Sequence, residues 1–388
     1  MGETIHLKES GRPRGHFKRA YTVVEWLLII GSIIAIIIVA GVFFKRSAMT
    51  KAKEIVKISK YQPGPVPWPA NSAPLASPLM PPPEEADDLA RFKGYDAIVI
   101  TYTSEEATAL ATLFTPGYPT AHWYNYRHAV DAYVPLVTAD RAPFNNTNQF
   151  MIRYYHSLGL YFPCTIGKAK VLLFKSNLHL DRDGPDIPLR KLVNEMIQAI
   201  QPKIFITTGA GGGIGRDVAL GDVVIAGLTK FDCTGKFKDE AWHAASYKTT
   251  PVPPGALAEI TPALTVVNAA KLQDDSARPV PKIWAAATDA IVTTDFFCYD
   301  DSQNTLGLQG LGRACDMDDA MIGQVMQDYP NIKWFAIRNV ANPQIQISDA
   351  DKKAAGNRAN SIYSQYGIFT SVASSIATWA VIDNLINK

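Results

Sequence analysis

The sequence predicts an α/β domain carried behind a single transmembrane helix. Three observations predict it: an uncharged apolar run near the N-terminus, a proline-rich stretch after it, and, beyond Arg91, short apolar runs alternating with segments of helical periodicity. Composition agrees. Of 388 residues, 47% are hydrophobic and 19% charged, which fits a globular chain long enough for one large domain or two ordinary ones and excludes disorder for most of it. The formal charge of +2 is too small to argue for a nucleic-acid partner. Cys164, Cys233, Cys298 and Cys315 are scattered, with neither a C-x-x-C pair nor a histidine at ligand spacing, so no metal site is expected.

Four segments follow in order: a basic stretch over 1–22, a transmembrane helix over 23–44, a basic and then proline-rich linker over 45–91, and the working domain over 92–388. The apolar run from Trp26 to Phe44 holds nineteen residues without a charge, and a helix needs roughly 20 to cross the hydrocarbon core. Lysines and arginines flank it on both sides, so the positive-inside rule does not orient it. Arg19-Ala20 followed by YTVVEWLLII, with Glu25 fifth after Ala20, resembles the N-terminus of type IV pilins and pseudopilins. That resemblance implies processing at Ala20 and leans the domain towards the periplasmic side. The plainer reading is an interfacial carboxylate at the start of a retained anchor, with a cytoplasmic domain left open. Residues 61–83 contain nine prolines. They cannot form a helix or an interior strand and read as a stiff spacer, so a chain starting near Glu84 should hold the whole domain.

Within the domain, Ala97–Thr101 reads as a strand and Ser104 to about Phe114 as a helix. Leu189, Leu192, Val193, Met196, Ile197 and Ile200 mark one face of a second helix, followed by a buried strand at Lys203–Thr207. Further strands are expected at Asp222–Leu228, Ile283–Ala287 and Lys333–Arg338, with helices at Asp318–Gln327 and Gln365–Ile386. The aromatic-rich stretch Tyr118–Phe162 and the proline-bounded stretch Lys230–Pro281 read as insertions.

The most specific local feature is ITTGAGGGIGRDVALGDVVIA, Ile206–Ala226, read as a strand, a glycine-rich turn and a second strand. Gly209, Gly211 and Gly212 let backbone approach a ligand closely. A dinucleotide fingerprint is disfavoured, since no clear helix follows the turn and no acidic residue ends a second strand. The segment resembles the T-G-S-A-G-G-L and G-D-[IV]-V elements of the purine nucleoside phosphorylase and methylthioadenosine/S-adenosylhomocysteine nucleosidase superfamily. Further segments match in the same order: TYTSEEA (Thr101–Ala107), TTDFF (Thr293–Phe297), CDMDDA (Cys315–Ala320) and RNVAN (Arg338–Asn342). The resemblance implies a three-layer phosphorylase-type fold with a central twisted mixed β-sheet flanked by helices. It also implies roles: Glu106 for the attacking water, Asp295 and Phe297 at the base, Met317 and Asp318 at the sugar, Arg338 in the binding set, and Asn342 at the purine N7.

These residue types suit the chemistry. Breaking a ribosyl bond makes the sugar cationic and the departing base anionic, so a carboxylate near one and a hydrogen-bond or proton donor near the other stabilise the transition state. Each residue also has a plain structural reading: Asp318 as a helix-start carboxylate, Asn342 before Pro343 as a turn residue, Phe297 as core. Two departures matter. Asn342 stands where the nucleosidases carry aspartate and cannot deliver a proton, though its amide can donate to a 6-oxo group, as in trimeric phosphorylases. Asp318 is one methylene shorter than the family's glutamate. The phosphorylases' phosphate-binding arginines have no clear counterpart beyond Arg182, Arg190 or Arg216. The expected function is therefore a membrane-anchored nucleosidase or phosphorylase acting on a purine nucleoside, hydrolysis favoured, with no cofactor beyond phosphate as a co-substrate and with homo-oligomers expected. A nucleoside-binding protein that lost the proton donor and a pilin-like subunit displaying the domain are the competing readings.

Overall fold

The computed structural model describes residues 63–137, 150–180, 187–268, 278–298, 301–342 and 352–388, all within the unit Tyr61–Lys388. The basic segment, the expected transmembrane helix, the pilin-like site at Ala20 and Arg182 lie outside these residues.

The proline-rich stretch departs from expectation. Instead of standing off as a spacer, its described part lies on the domain. Strand β1 (Pro74–Ala76) pairs antiparallel with Cys164–Ile166. The ring of Trp68 sits 4.7 Å from that of Trp379, whose indole N–H donates to the Ser72 carbonyl at 2.7 Å. Leu89 and Phe92 are buried in the core. The proline rule itself survives, because β1 is an edge strand. The apolar residues between the prolines supply the packing that composition alone does not reveal.

Strand β2 (Ala97–Thr101) forms where the first apolar run predicts it, and its alternation feeds two cores, Ile98 and Ile100 on one face, Ala97 and Val99 on the other. Strands β3 (Tyr124–Tyr126), β4 (Gly159–Ile166) and β5 (Ala169–Ser176) follow, the last two a hairpin. The stretch Tyr118–Phe162 is thus no insertion throughout. Strands β6 (Ile204–Gly213), β7 (Val223–Ile225), β8 (Leu228–Phe231), β9 (Ser246–Lys248), β10 (Ile283–Trp284), β11 (Ala290–Thr293), β12 (Ala314–Asp316) and β13 (Lys333–Asn342) complete a mixed sheet. Its spine runs β1-β4-β5-β2-β6-β12-β11-β8-β9, with β13 on the other side of β6, β7 beside β13, β10 beside β7 and β3 on β4.

Helices α1 (Ser104–Phe114), α3 (Pro254–Ala263) and α5 (Lys352–Ile386) share one core with the sheet; α2 (Pro188–Ile200) and α4 (Asp319–Met326) share the other. The expected three layers around a central mixed sheet are present. Among the described residues one helix, Gly356–Ile386, is long and apolar enough to cross a membrane, but 83% of its apolar window is buried inside the fold. Its polar stripe bonds to the sheet, Ser374 Oγ to Asn339 Oδ1 and Thr378 Oγ1 to Thr208 Oγ1, both at 2.9 Å. It is a core helix.

Two sequence expectations are corrected here. The glycine-rich "turn" is strand: β6 runs through Gly213, parallel to β13 along most of its length and antiparallel to β12 at its end. The missing side chains are what permit that crossing, since a Cβ on Gly212 would stand 2.8 Å from Cys315 Sγ. The single strand expected at Asp222–Leu228 is two, β7 and β8, broken at Ala226-Gly227. There the Gly227 amide donates to the Asp289 carbonyl at 2.8 Å.

Candidate active site

The strand ends converge. Helix α1 begins with a capping box in which Thr103 Oγ1 accepts from the Glu106 amide at 3.3 Å and Glu106 Oε2 accepts from the Thr103 amide at 2.8 Å. The same Oε2 accepts from Thr101 Oγ1 at 2.7 Å and the Tyr102 amide at 2.9 Å, while Oε1 accepts from the Ala210 amide at 2.8 Å. Glu106 thereby joins the β2–α1 corner to β6. Gly209 lies behind it with φ near +153°, and any Cβ there would collide with the Glu106 carboxylate.

From β13, Arg338 reaches the same place. Its guanidinium binds Asp319 in two-point fashion, Nε to Oδ2 at 2.9 Å and Nη2 to Oδ1 at 2.6 Å, and Nη2 also meets Asp316 Oδ2 at 2.9 Å. Nη1 stands 3.9 Å from Glu106 Oε1. Burial opposes the charge on Arg338, but Asp319 and Asp316 outweigh it and hold the guanidinium firmly protonated. Burial and the neighbouring Asp319 push the Asp316 carboxyl well above the usual carboxylate range, against the pull of Arg338. The Tyr102 phenol is also raised, by burial and by Asp318, so it stays a neutral O–H.

The Asp318 carboxylate is buried, its Oδ2 3.1 Å from His179 Nδ1 and its Oδ1 accepting from the Leu180 amide at 3.2 Å. Met317 precedes it. Phe297, 49% exposed, stands at the mouth, and Cys298 next to it forms a disulfide with Cys315 of β12. Asn342 ends β13 with one amide hydrogen donated to the Ala359 carbonyl of α5 at 2.9 Å, leaving its second N–H and Oδ1 for another partner.

A cavity of about 450 Å³ brings Glu106, Phe297, Met317, Asp318, Arg338 and Asn342 together, with Gly211 and Gly212 in its wall. That volume suits a small-molecule site. Two expected residues are not in its lining. Gly209 backs the cavity through Glu106, and Asp295 turns away to accept from the Gly235 and Phe237 amides at 3.0 and 2.7 Å, fastening a loop. The arginines proposed for phosphate do not converge on it either: Arg190 donates to Gln324 and Arg216 to the Ser302 carbonyl. Sequence reasoning misses His179, Tyr102, the first turns of α5 around Ala359 and Tyr363, and the disulfide. No local pattern announces a histidine 139 residues before its carboxylate partner.

Residues 187–365 match the family model described as the phosphorylase superfamily. Among curated proteins no match was found. Among solved structures, a 5′-methylthioadenosine/S-adenosylhomocysteine nucleosidase from Helicobacter pylori aligns at 12% identity over 75% of this chain and 100% of that one, with a TM-score of 0.46. The futalosine hydrolase of Helicobacter pylori gives 12% identity, 75% and 98% coverage and a TM-score of 0.46. A 5′-methylthioadenosine/S-adenosylhomocysteine nucleosidase from Neisseria meningitidis gives 14% identity, 74% and 99% coverage and a TM-score of 0.44.

Proposed function

We propose that the chain is a nucleosidase that hydrolyses the N-glycosidic bond of a purine nucleoside and is held at a membrane by the Trp26–Phe44 helix. The observation that carries the reading is the charge of the cavity. Glu106 and Asp318 line it, with Asp316 beside them held towards its protonated form, and Arg338, the one arginine among the described lining residues, is already engaged by Asp316 and Asp319. A carboxylate-rich wall stabilises a sugar that becomes cationic and repels a phosphate dianion, so hydrolysis is favoured over phosphorolysis. Phe297 offers an aromatic face to the base, Met317 an apolar wall to the sugar, Asp318 an acceptor for ribose hydroxyls, and Asn342 a donor and an acceptor at the purine edge.

A second reading has its own support. All four protein hydrogen bonds to Glu106 bear on its two oxygens, so an attacking water would have to share oxygens already engaged, and Asn342 delivers no proton. A nucleoside-binding protein with this cavity would look the same at rest. Nucleobase release from a panel of purine and pyrimidine nucleosides, with and without phosphate, decides between them. Release without phosphate supports the hydrolase, release only with phosphate supports phosphorolysis, and tight binding without release supports the binding protein. Fractionation of cells expressing the full chain, with and without residues 1–62, tests the anchor.

A further inference from the structure

Asp318 stands just before helix α4, where an aspartate ordinarily turns back to accept an amide of the first turn. It does not do so: it makes no side-chain cap bond, and Asp316 Oδ2 takes the amides of Asp318 and Asp319 at 3.2 and 2.8 Å instead. The Asp318 carboxylate is drawn away from the helix end to His179 Nδ1 at 3.1 Å and the Leu180 amide at 3.2 Å. Both side chains are buried, 6% and 4% exposed. Because a carboxylate only accepts, Nδ1 is the ring nitrogen that carries the hydrogen here.

The turn that presents His179 is itself fixed. Ser176 Oγ bonds to both the amide and the carbonyl of Leu178 at 2.9 Å, and Asn177 Nδ2 donates to the Ser157 carbonyl and hydroxyl at 3.0 Å. The imidazole lies against Tyr102, ring centres 5.2 Å apart. An aspartate at this place has less reach than a glutamate, so a productive contact with a sugar depends on its orientation being held.

We propose that His179 is a positioning residue: its Nδ1–H holds the Asp318 carboxylate off the helix end and in the cavity, oriented towards the vicinal hydroxyls of a ribosyl group. The proposal rests on the nucleosidase reading of the same cavity and adds the residue that makes a shortened carboxylate serve there. Free of that hold, Asp318 competes for the amides at the start of α4, and the population with the carboxylate in place falls.

The test uses the full chain in three variants. His179→Asn places an amide N–H near the position of Nδ1–H, His179→Gln places one near Nε2, and His179→Ala removes both. Cleavage of a ribonucleoside and of its 2′-deoxy and 3′-deoxy analogues is followed, with melting temperature read alongside. For the ribonucleoside, His179→Ala should lower kcat/KM roughly ten- to a hundredfold, mostly in kcat; His179→Asn should recover most of that and His179→Gln little. With at least one deoxy analogue the loss should shrink to about threefold or less, because the hydroxyl that Asp318 accepts is gone. Rescue by Gln but not Asn overturns the proposal, as does a loss of equal size on all three substrates or an Ala variant as active as wild type. If His179→Ala does not fold, the Asn and Gln pair, which fill most of the imidazole's space, decides the matter. A wild type that neither cleaves nor binds any nucleoside sinks the nucleosidase reading and the proposal with it; an active wild type indifferent to His179 sinks the proposal alone.

Discussion

Replacing Arg338 by methionine removes the charge on which two buried carboxylates depend. Arg338 is 2% exposed and makes three short bonds to Asp316 and Asp319. Breaking such a buried set by deleting one partner costs about 3–5 kcal/mol, because the remaining charges are left without compensation. Against a total stability on the order of 5–15 kcal/mol, Arg338→Met should lower the urea midpoint by about 1–2 M at a slope of about 3 kcal/mol per molar. The loss should also depend on pH in a definite sense. The folded-state pKa of Asp316 is already raised by burial and Asp319, so its contribution to stability is fully present below its unfolded value and is lost as pH rises through the folded one. Without Arg338 that rise is larger, so the gap between wild type and variant should be wide near about pH 8 and narrower near about pH 5. Urea titrations followed by tryptophan fluorescence at both pH values measure it. An unchanged midpoint, or a gap equal at the two pH values, would refute the assignment of Arg338 as the partner that keeps these carboxylates buried.

Other outcomes are expected. A chain starting at Glu84 should be less stable than one starting at Pro63 by about 2–5 kcal/mol, having lost Trp68 against Trp379 and the acceptor for its indole N–H; equal melting curves would show that residues 63–83 contribute nothing. Cys164 and Cys233 are buried, and burial pushes both thiols well up from their ordinary value. At neutral pH iodoacetamide should therefore label neither in the folded chain. After reduction it should label Cys298 and Cys315 and weaken nucleoside binding, since Phe297 is then no longer tied to β12; labelling of all four without reductant contradicts this. Asn342→Asp should raise cleavage of adenine nucleosides and lower that of 6-oxopurines. The introduced carboxyl faces the Ala359 carbonyl, now the acceptor at 2.9 Å, which favours the protonated acid that can serve N7. Parallel assays on adenosine and inosine check the two signs, and identical changes for both would remove Asn342 from the base site.

What is legible in the sequence follows from how local each signal is. Strand β2 and helices α1 and α2 declare themselves by period and, for α1, by a capping box within four residues. The ordered motifs bring Glu106, Met317, Asp318, Arg338 and Asn342 to one cavity: Glu106 and Asp318 sit at the start of helices, Met317 just past the end of β12 and Asn342 at the end of β13, where a short sequence fixes the direction of the side chain, while Arg338 reaches in from within β13. The aspartate of TTDFF misleads for the same reason in reverse: Asp295 satisfies two loop amides supplied from about sixty residues away, a pairing that no local spacing reveals. The glycines of β6 look like a turn because glycine weakens a strand on its own. Their role appears only when β12 and Cys315 cross over them. His179, Tyr102 and the disulfide depend wholly on tertiary arrangement.

The capping box at Glu106 has a consequence for anyone who measures this site. One carboxylate both starts helix α1 and faces the cavity, so the start of the helix and the readiness of the site form a single thermodynamic unit. Ligand that engages Glu106 should slow hydrogen exchange at the Tyr102 and Thr103 amides, even though no atom of the ligand need touch them. The converse holds for substitution. Activity lost in Glu106→Ala mixes a missing group with a frayed corner, and only exchange or calorimetry alongside the rate can apportion the two.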